Sequence, residues 1–188
     1  MFLHFLKNPR KIGALCSSSK RLGKVITQNI GIEHAKYIVE IGPGFGVFTH
    51  EILKKKSKDS IFFALENNRE IATTLQKKIK NIEVLNESAA HILDIMHARS
   101  IKSLDVIVSG LPWSIFSEEE QDSLLTSIYE SLDIHGCFAT FAYILPTPQA
   151  KLFRKKLYKY FQQVTISNVV WNNFPPAYVY YCRKCHVD

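Results

Sequence analysis

Apolar residues recur along the chain in two alternating rhythms. Short continuous runs bounded by turn residues read as buried strands, and runs with apolar positions three and four apart read as amphipathic helices. "KYIVEIG" predicts a first strand, with Phe48, Ile52 and Leu53 at helical spacing behind it. "SIFFALE" predicts a second strand, and Ile71, Ala72, Leu75 and Ile79 mark the next helix. "IEVLN" and "LDVIVSG" are the third and fourth strands. "EEEQDSLLTSIYESL" is a helix with acids in its first turn, "GCFATFAYI" a fifth strand, and residues 149–161 a further helix. "VTISNVVW" and "AYVYYCRK" read as a closing strand pair. Such alternation predicts an α/β domain, a doubly wound sheet with helices on both faces.

Ahead of this pattern lies an N-terminal extension over residues 1–30. Phe2, Leu3, Phe5 and Leu6 share one face of a short helix that Asn8-Pro9 would end. Ser17, Ser18 or Ser19 would cap a second helix through Leu22, Val25 and Ile26. The first of these helices would either enter a membrane interface or pack against protein.

At 188 residues the chain suits one domain. No apolar run approaches the roughly 18–20 residues that span a bilayer. "MFLHFLKNPRK" carries its charges after its apolar patch, unlike a secretory signal. The expectation is a cytoplasmic protein, suited to a peripheral position on the inner face of the cytoplasmic membrane. Cys16, Cys137, Cys182 and Cys185 have no disulfide-framework spacing. Cys182 and Cys185 form one C-x-x-C with His186 beside it, and without a second pair no metal site is expected. The formal net charge is +7. Lys7, Arg10, Lys11, Lys20, Arg21 and Lys24 all precede the first acid, Glu33, and a second cluster comprises Lys151, Arg154, Lys155, Lys156 and Lys159. An anionic partner or a solvated basic helix face would each explain these runs.

The strongest motif is Glu40-Ile41-Gly42-Pro43-Gly44-Phe45-Gly46, between the first strand and the first helix of the sheet. This turn lies at the carboxyl edge of a doubly wound sheet, where ligands bind. Its G-x-G-x-G spacing departs from the G-x-G-x-x-G of dinucleotide folds, and the Lys-Ser/Thr of a P-loop is missing. Glu40 suits a cationic ligand, and Glu66, ending the second strand, can accept both hydroxyls of a ribose.

With these residues the chain resembles class I S-adenosylmethionine-dependent methyltransferases, from about residue 37 onward. The resemblance implies seven strands, the last antiparallel, in a methyltransferase domain over residues 31–188. It implies that Glu40, Gly42, Gly44 and Gly46 hold the methionine end of S-adenosyl-L-methionine. Glu66, with Asn67 beside it, would hold the ribose, and Ser88 and Ala89 of "NESA" the adenine. Ser109, at the end of the fourth strand, joins the cofactor residues. Many relatives carry Asp where Ser88 stands; a serine can still accept a hydrogen bond.

The turn Ser109-Gly110-Leu111-Pro112-Trp113 resembles the Asn-Leu-Pro-Tyr turn of rRNA adenine dimethyltransferases, with the Asn amide missing. Leu111 and Pro112 would sit beside the transferred methyl. Trp113 would offer either an aromatic face to a cationic nitrogen or simple core packing. "NPRKIGALCSSSKRL", "SGLPW" and "NNFPPAYVY" together resemble bacterial phospholipid N-methyltransferases. That implies stepwise methylation of phosphatidylethanolamine towards phosphatidylcholine and contact with an anionic membrane surface. The expected chemistry is in-line transfer to a neutral amine, with Tyr143 as first choice if a general base is used. Methylation of an rRNA or other nucleic-acid adenine is the alternative acceptor reading. A binding module that kept the cofactor site without catalysis is a third.

Overall fold

A computed structural model describes residues 18–184. Helices α1 (Lys20–Ile26), α2 (Val47–Lys55), α3 (Arg69–Lys78), α4 (Ile92–Ala98), α5 (Glu118–Ser131) and α6 (Pro148–Tyr160) flank a sheet of seven strands. The strands are β1 (Tyr37–Ile41), β2 (Ile61–Leu65), β3 (Glu83–Leu85), β4 (Leu104–Ser109), β5 (Leu132–Tyr143), β6 (Gln163–Ile166) and β7 (Ala177–Arg183). Their order is β3-β2-β1-β4-β5-β7-β6. Strands β1 to β5 run parallel, and β7 is antiparallel to both β5 and β6. The order reverses between β1 and β4, so a crevice opens at the carboxyl ends of those two strands.

Alternation along each strand splits the core into two layers. Ile38, Val106, Val108 and Ala139 face α1 and α2, where they meet Leu22, Ile26, Phe48 and Ile52. Val39, Ile41, Ile107 and Phe138 face the other way, onto Ile92, Leu125, Ile128, Phe153 and Leu157 of α4, α5 and α6. Strands buried on both faces must be continuously apolar, which is why they read so clearly as runs.

The doubly wound expectation holds, with the closing pair antiparallel. Ser19 is the residue that caps α1, accepting from the Leu22 N–H at 3.1 Å. Leu22 and Ile26 are wholly buried, so α1 belongs to the first core layer. Three details differ from the pattern reading. α4 adds one short helix after β3. β5 begins at Leu132, directly after α5, rather than near Gly136. β6 ends at Ile166, and Val170 makes only an isolated bridge to Ala177. The expected helix through Phe2 and Leu6, the basic residues Lys7, Arg10 and Lys11, and Cys16, Cys185 and His186 lie outside the described residues. Cys182 is buried in β7. Among the described residues, no helix is long and apolar enough to cross a membrane.

Candidate active site

A cleft of about 830 Å³ opens where β1 and β4 part company. The sharp turn after β1 forms its floor: Gly42, Gly44 and Gly46 have φ of 68°, 52° and 85°, a region that side chains rarely enter. Gly42 and Gly44 face the cleft, but Gly46 does not line it. Gly46 caps α2, and a Cβ there would lie 2.7 Å from Leu75 Cδ1 and 2.9 Å from Ile79 Cδ1. It lets the loop close onto α3, so its part is packing.

Alternation puts Glu40 on the α2 side of β1. There it is fully buried, and Thr49 Oγ1 of α2 donates to its Oε2 at 2.6 Å. Glu40 Oε1 finds no hydrogen-bond donor among the described residues. Burial pushes the Glu40 carboxyl up from 4.5 to about 8, against the opposing bond from Thr49. Once this carboxyl ionises, its bare buried oxygen is costly unless a donor or a cation meets it.

Glu66 lies just past the end of β2 and lines the cleft. Its Oε1 accepts the Asn68 N–H at 2.9 Å. Burial raises its pKa, and the backbone amides of Asn68 and Gly44 act against that rise. Asn68 in turn caps α3 by accepting from Glu70 and Ile71 N–H groups. Asn86 ties this corner together, donating to the Glu66 and Asn67 carbonyls at 2.9 and 3.2 Å. Asn67, Ser88 and Ala89 also line the cleft, and Ser88 Oγ caps the turn after β3 by accepting from Ala90 N–H.

The β4 turn closes the opposite side. Leu111 and Pro112 line the cleft, as do Phe141 and Tyr143 of β5. Ser109 is wholly buried. Its Oγ accepts the Leu111 N–H at 3.2 Å, so it shapes the turn and does not reach the cleft surface. Gly110 donates to the Ile41 carbonyl at 2.8 Å, and a Cβ on Gly110 would lie 2.3 Å from Gly42 O. The two loops meet backbone to backbone.

Trp113 corrects the sequence reading. It is 2% exposed, stacks on Phe153 at 4.4 Å between centroids, and donates from Nε1 to Thr140 Oγ1 at 2.8 Å. It does not line the cleft and presents no open face to a cationic nitrogen; of the two readings, core packing is what the geometry shows. Gln121 Nε2 donates to its carbonyl and locks the turn to α5.

The structure therefore gathers Gly42, Gly44, Glu66, Asn67, Ser88, Ala89, Leu111, Pro112 and Tyr143 around one cleft. It sets Glu40, Gly46, Ser109 and Trp113 behind that surface. Pattern reading missed Thr49, Asn68, Asn86 and Thr140. Asn68 carried a usable signal, an Asn directly before an amphipathic helix. The other three act across elements and leave no local trace.

The sequence matches no protein-family model. It is 30% identical over 182 residues to the ornithine lipid N-methyltransferase of Singulisphaera acidiphila, covering 95% of this chain and 92% of that protein. It is 29% identical to the ribosomal RNA small subunit methyltransferase A of a Hydrogenobaculum strain. That match covers 60% of this chain and 42% of the relative. The fold is similar to that of a SAM-dependent O-methyltransferase from Thermotoga maritima, with a TM-score of 0.70 at 15% identity, covering 98% of this chain and 72% of that one. An O-methyltransferase from Bacillus cereus in complex with SAH gives a TM-score of 0.69 at 14% identity, covering 96% of this chain and 91% of that one.

The cofactor of such enzymes, S-adenosylmethionine, is matched by the residues present. The side-chain-free turn at Gly44 and the Glu66 carboxyl line one cleft, and the orphaned Glu40 oxygen is buried behind that lining, at the end of the strand that leads into the turn. By its sequence relationship along nearly its whole length and by its sheet, the chain belongs to the class I S-adenosylmethionine-dependent methyltransferases, in the family that includes the ornithine lipid N-methyltransferase of Singulisphaera acidiphila.

Proposed function

We propose that this enzyme methylates the amine of a lipid head group, and that phosphatidylethanolamine, converted towards phosphatidylcholine, is its acceptor. The observation that carries this reading is the end-to-end relationship to a lipid N-methyltransferase, against the 42% of the rRNA enzyme that the chain matches. Gly110 supports it. The asparagine that resembling adenine-methylating turns use has no counterpart here, and even a Cβ would collide with Gly42 O.

S-adenosylmethionine, when bound, supplies an electrophilic methyl group on a sulfonium. In this reading Glu40, Gly42 and Gly44 hold its methionine end. Glu66, with Asn67, holds the ribose, and Ser88 and Ala89 border the adenine. Leu111, Pro112, Phe141 and Tyr143 form the wall that guides the acceptor nitrogen. Transfer needs that nitrogen within about 3–3.5 Å of the methyl carbon and in line with it. A primary ammonium has an unperturbed pKa of about 10.4, and burial beside a cation lowers it. The lost proton can leave through the open cleft, so positioning, rather than a strong base, is the enzyme's main task. Tyr143 is the first residue to test as a proton acceptor.

Ornithine lipid, the substrate in the relative's name, is the second reading, because it too offers a lipid-borne amine. Radiolabelled methyl transfer should be compared on vesicles of phosphatidylethanolamine, vesicles containing ornithine lipid, ribosomal RNA and small amines. Label in phosphatidylethanolamine is expected. Label only in ornithine lipid would change the head group, and label only in RNA would overturn the lipid reading.

A further inference from the structure

The loop between β6 and β7 carries two large side chains with little cover: Phe174 is 83% exposed and Trp171 69%. The Val170–Ala177 bridge closes this loop at its base. The Ile144 N–H donates to the Pro176 carbonyl at 3.0 Å, which brings the end of β5 alongside. Ile144 and Leu145 are themselves exposed apolar residues. Tyr143, the neighbour of Ile144, lines the cleft. Among the described residues, an exposed apolar rim therefore runs from the β6–β7 loop to the mouth of the active site.

Cations flank this rim. Asn173, inside the loop, accepts the Ser19 N–H at 2.8 Å and so fixes the start of α1 beside it, with Lys20 and Arg21 exposed there. On the other flank, α6 begins just after Leu145 and carries exposed Lys151, Arg154 and Lys155. The acids of the cleft, Glu66, Glu87, Glu119 and Glu120, come from the ends of β2 and β3 and from α5, and not from this loop.

We infer that the Trp171–Phe174 loop, with Ile144 and Leu145, inserts into the interface of an anionic lipid bilayer and seats the cleft mouth on it. This rests on the lipid-acceptor reading and adds the surface by which the acceptor arrives. Aromatic side chains favour the boundary between head groups and acyl chains, while Lys and Arg beside them meet anionic head groups. An apolar tip ringed by cations complements such a membrane. Contiguity with the cleft would let a lipid amine reach the site while its acyl chains stay in the bilayer.

The test uses the full chain and its Trp171→Ala/Phe174→Ala variant. Both side chains are exposed, so folding and S-adenosylmethionine affinity should match the parent. Binding to vesicles containing phosphatidylglycerol is expected to fall at least tenfold. Methylation of vesicle-borne phosphatidylethanolamine should fall with it, while turnover of a short-chain, monomeric phosphatidylethanolamine stays within twofold. Unchanged vesicle binding would overturn the inference, and so would equal loss on the monomeric lipid, which would put the loop in the site itself. It would also fall if Trp171 is shielded from acrylamide before vesicles are added and becomes accessible when residues 1–17 are deleted, because the chain would then cover its own loop. If loop-dependent binding to anionic vesicles persists while no aminolipid is methylated, docking stands and the lipid-acceptor reading fails.

Discussion

Glu40 is held by Thr49, with its second oxygen bare and its pKa pushed up to about 8 by burial. Unfolded, the same carboxyl titrates near 4.5, so between the two values the folded protein keeps a proton that the unfolded chain has lost. This contribution to stability is complete below 4.5 and is lost as pH rises through about 8. The ligand-free protein should therefore melt at lower temperature as pH rises across that window, and Glu40→Gln should flatten the trend. With a cationic ligand at Oε1 the sign reverses for binding: cofactor affinity should increase as pH rises from 6 to about 8, with proton release at neutral pH. Calorimetry in two buffers of different ionisation enthalpy measures that release, which Glu40→Gln should remove. Glu66 makes a separate contribution. Losing a charge-assisted bond to the ribose should weaken cofactor binding in Glu66→Gln by about 1.5–3 kcal/mol, roughly ten- to a hundredfold. Unaltered affinity in that variant would remove Glu66 from the cofactor site.

Among the elements, α5 matters because its first turns carry Glu119, Glu120, Ser123 and Leu124 into the cleft wall. Its start is fixed by a reciprocal cap: Ser117 Oγ accepts the Glu120 N–H, and Glu120 Oε2 accepts the Ser117 N–H. Ser117→Ala should destabilise the protein by about 1 kcal/mol, lowering the melting midpoint by about 2–4 °C. A thermal melt checks this; no change would mean that water satisfies those amides equally well. The acids of its first turn made this start readable in the sequence. By contrast, α4 has only seven residues, with Ile92 and Met96 as its buried positions, too short a run for a helical period to stand out. The early part of β5 was equally hidden, because Asp133, Ile134 and His135 are not buried and break the apolar run before Gly136.

At the scale of the whole molecule, α1 is a working part of the domain. Tyr181 Oη donates to the Val25 carbonyl and Lys55 Nζ to the Thr27 carbonyl, each at 2.6 Å, while Leu22 and Ile26 complete the first core layer. Leu22→Ala should cost about 2–5 kcal/mol, read as a lower denaturant midpoint at unchanged slope. A loss below 1 kcal/mol would show that the layer closes without α1. Deleting residues 1–7 should instead leave the cofactor affinity nearly unchanged, because the glycine turn that begins at Gly42 lies far downstream in the chain, and should weaken binding to anionic vesicles.

The sequence by itself determined the order of the seven strands and of the helices between them other than α4, the position of the glycine turn and the placing of Glu66 at a strand end. Those features follow from local periodicity and from backbone conformations that only particular residues tolerate. The sheet then brought the ends of β1, β2 and β4 to one edge, as parallel winding requires. Packing decided the rest. Trp113 turned inward because Phe153 and Thr140, both distant in sequence, offered it a stacked face and an acceptor. Glu40 became a buried, half-satisfied carboxyl because α2 closed over β1 with Thr49 in place. Gly110 could carry no side chain because the Gly42 carbonyl occupies that space. Each of these depends on contacts between elements that the chain order keeps apart, and so each was set only when the layers came together.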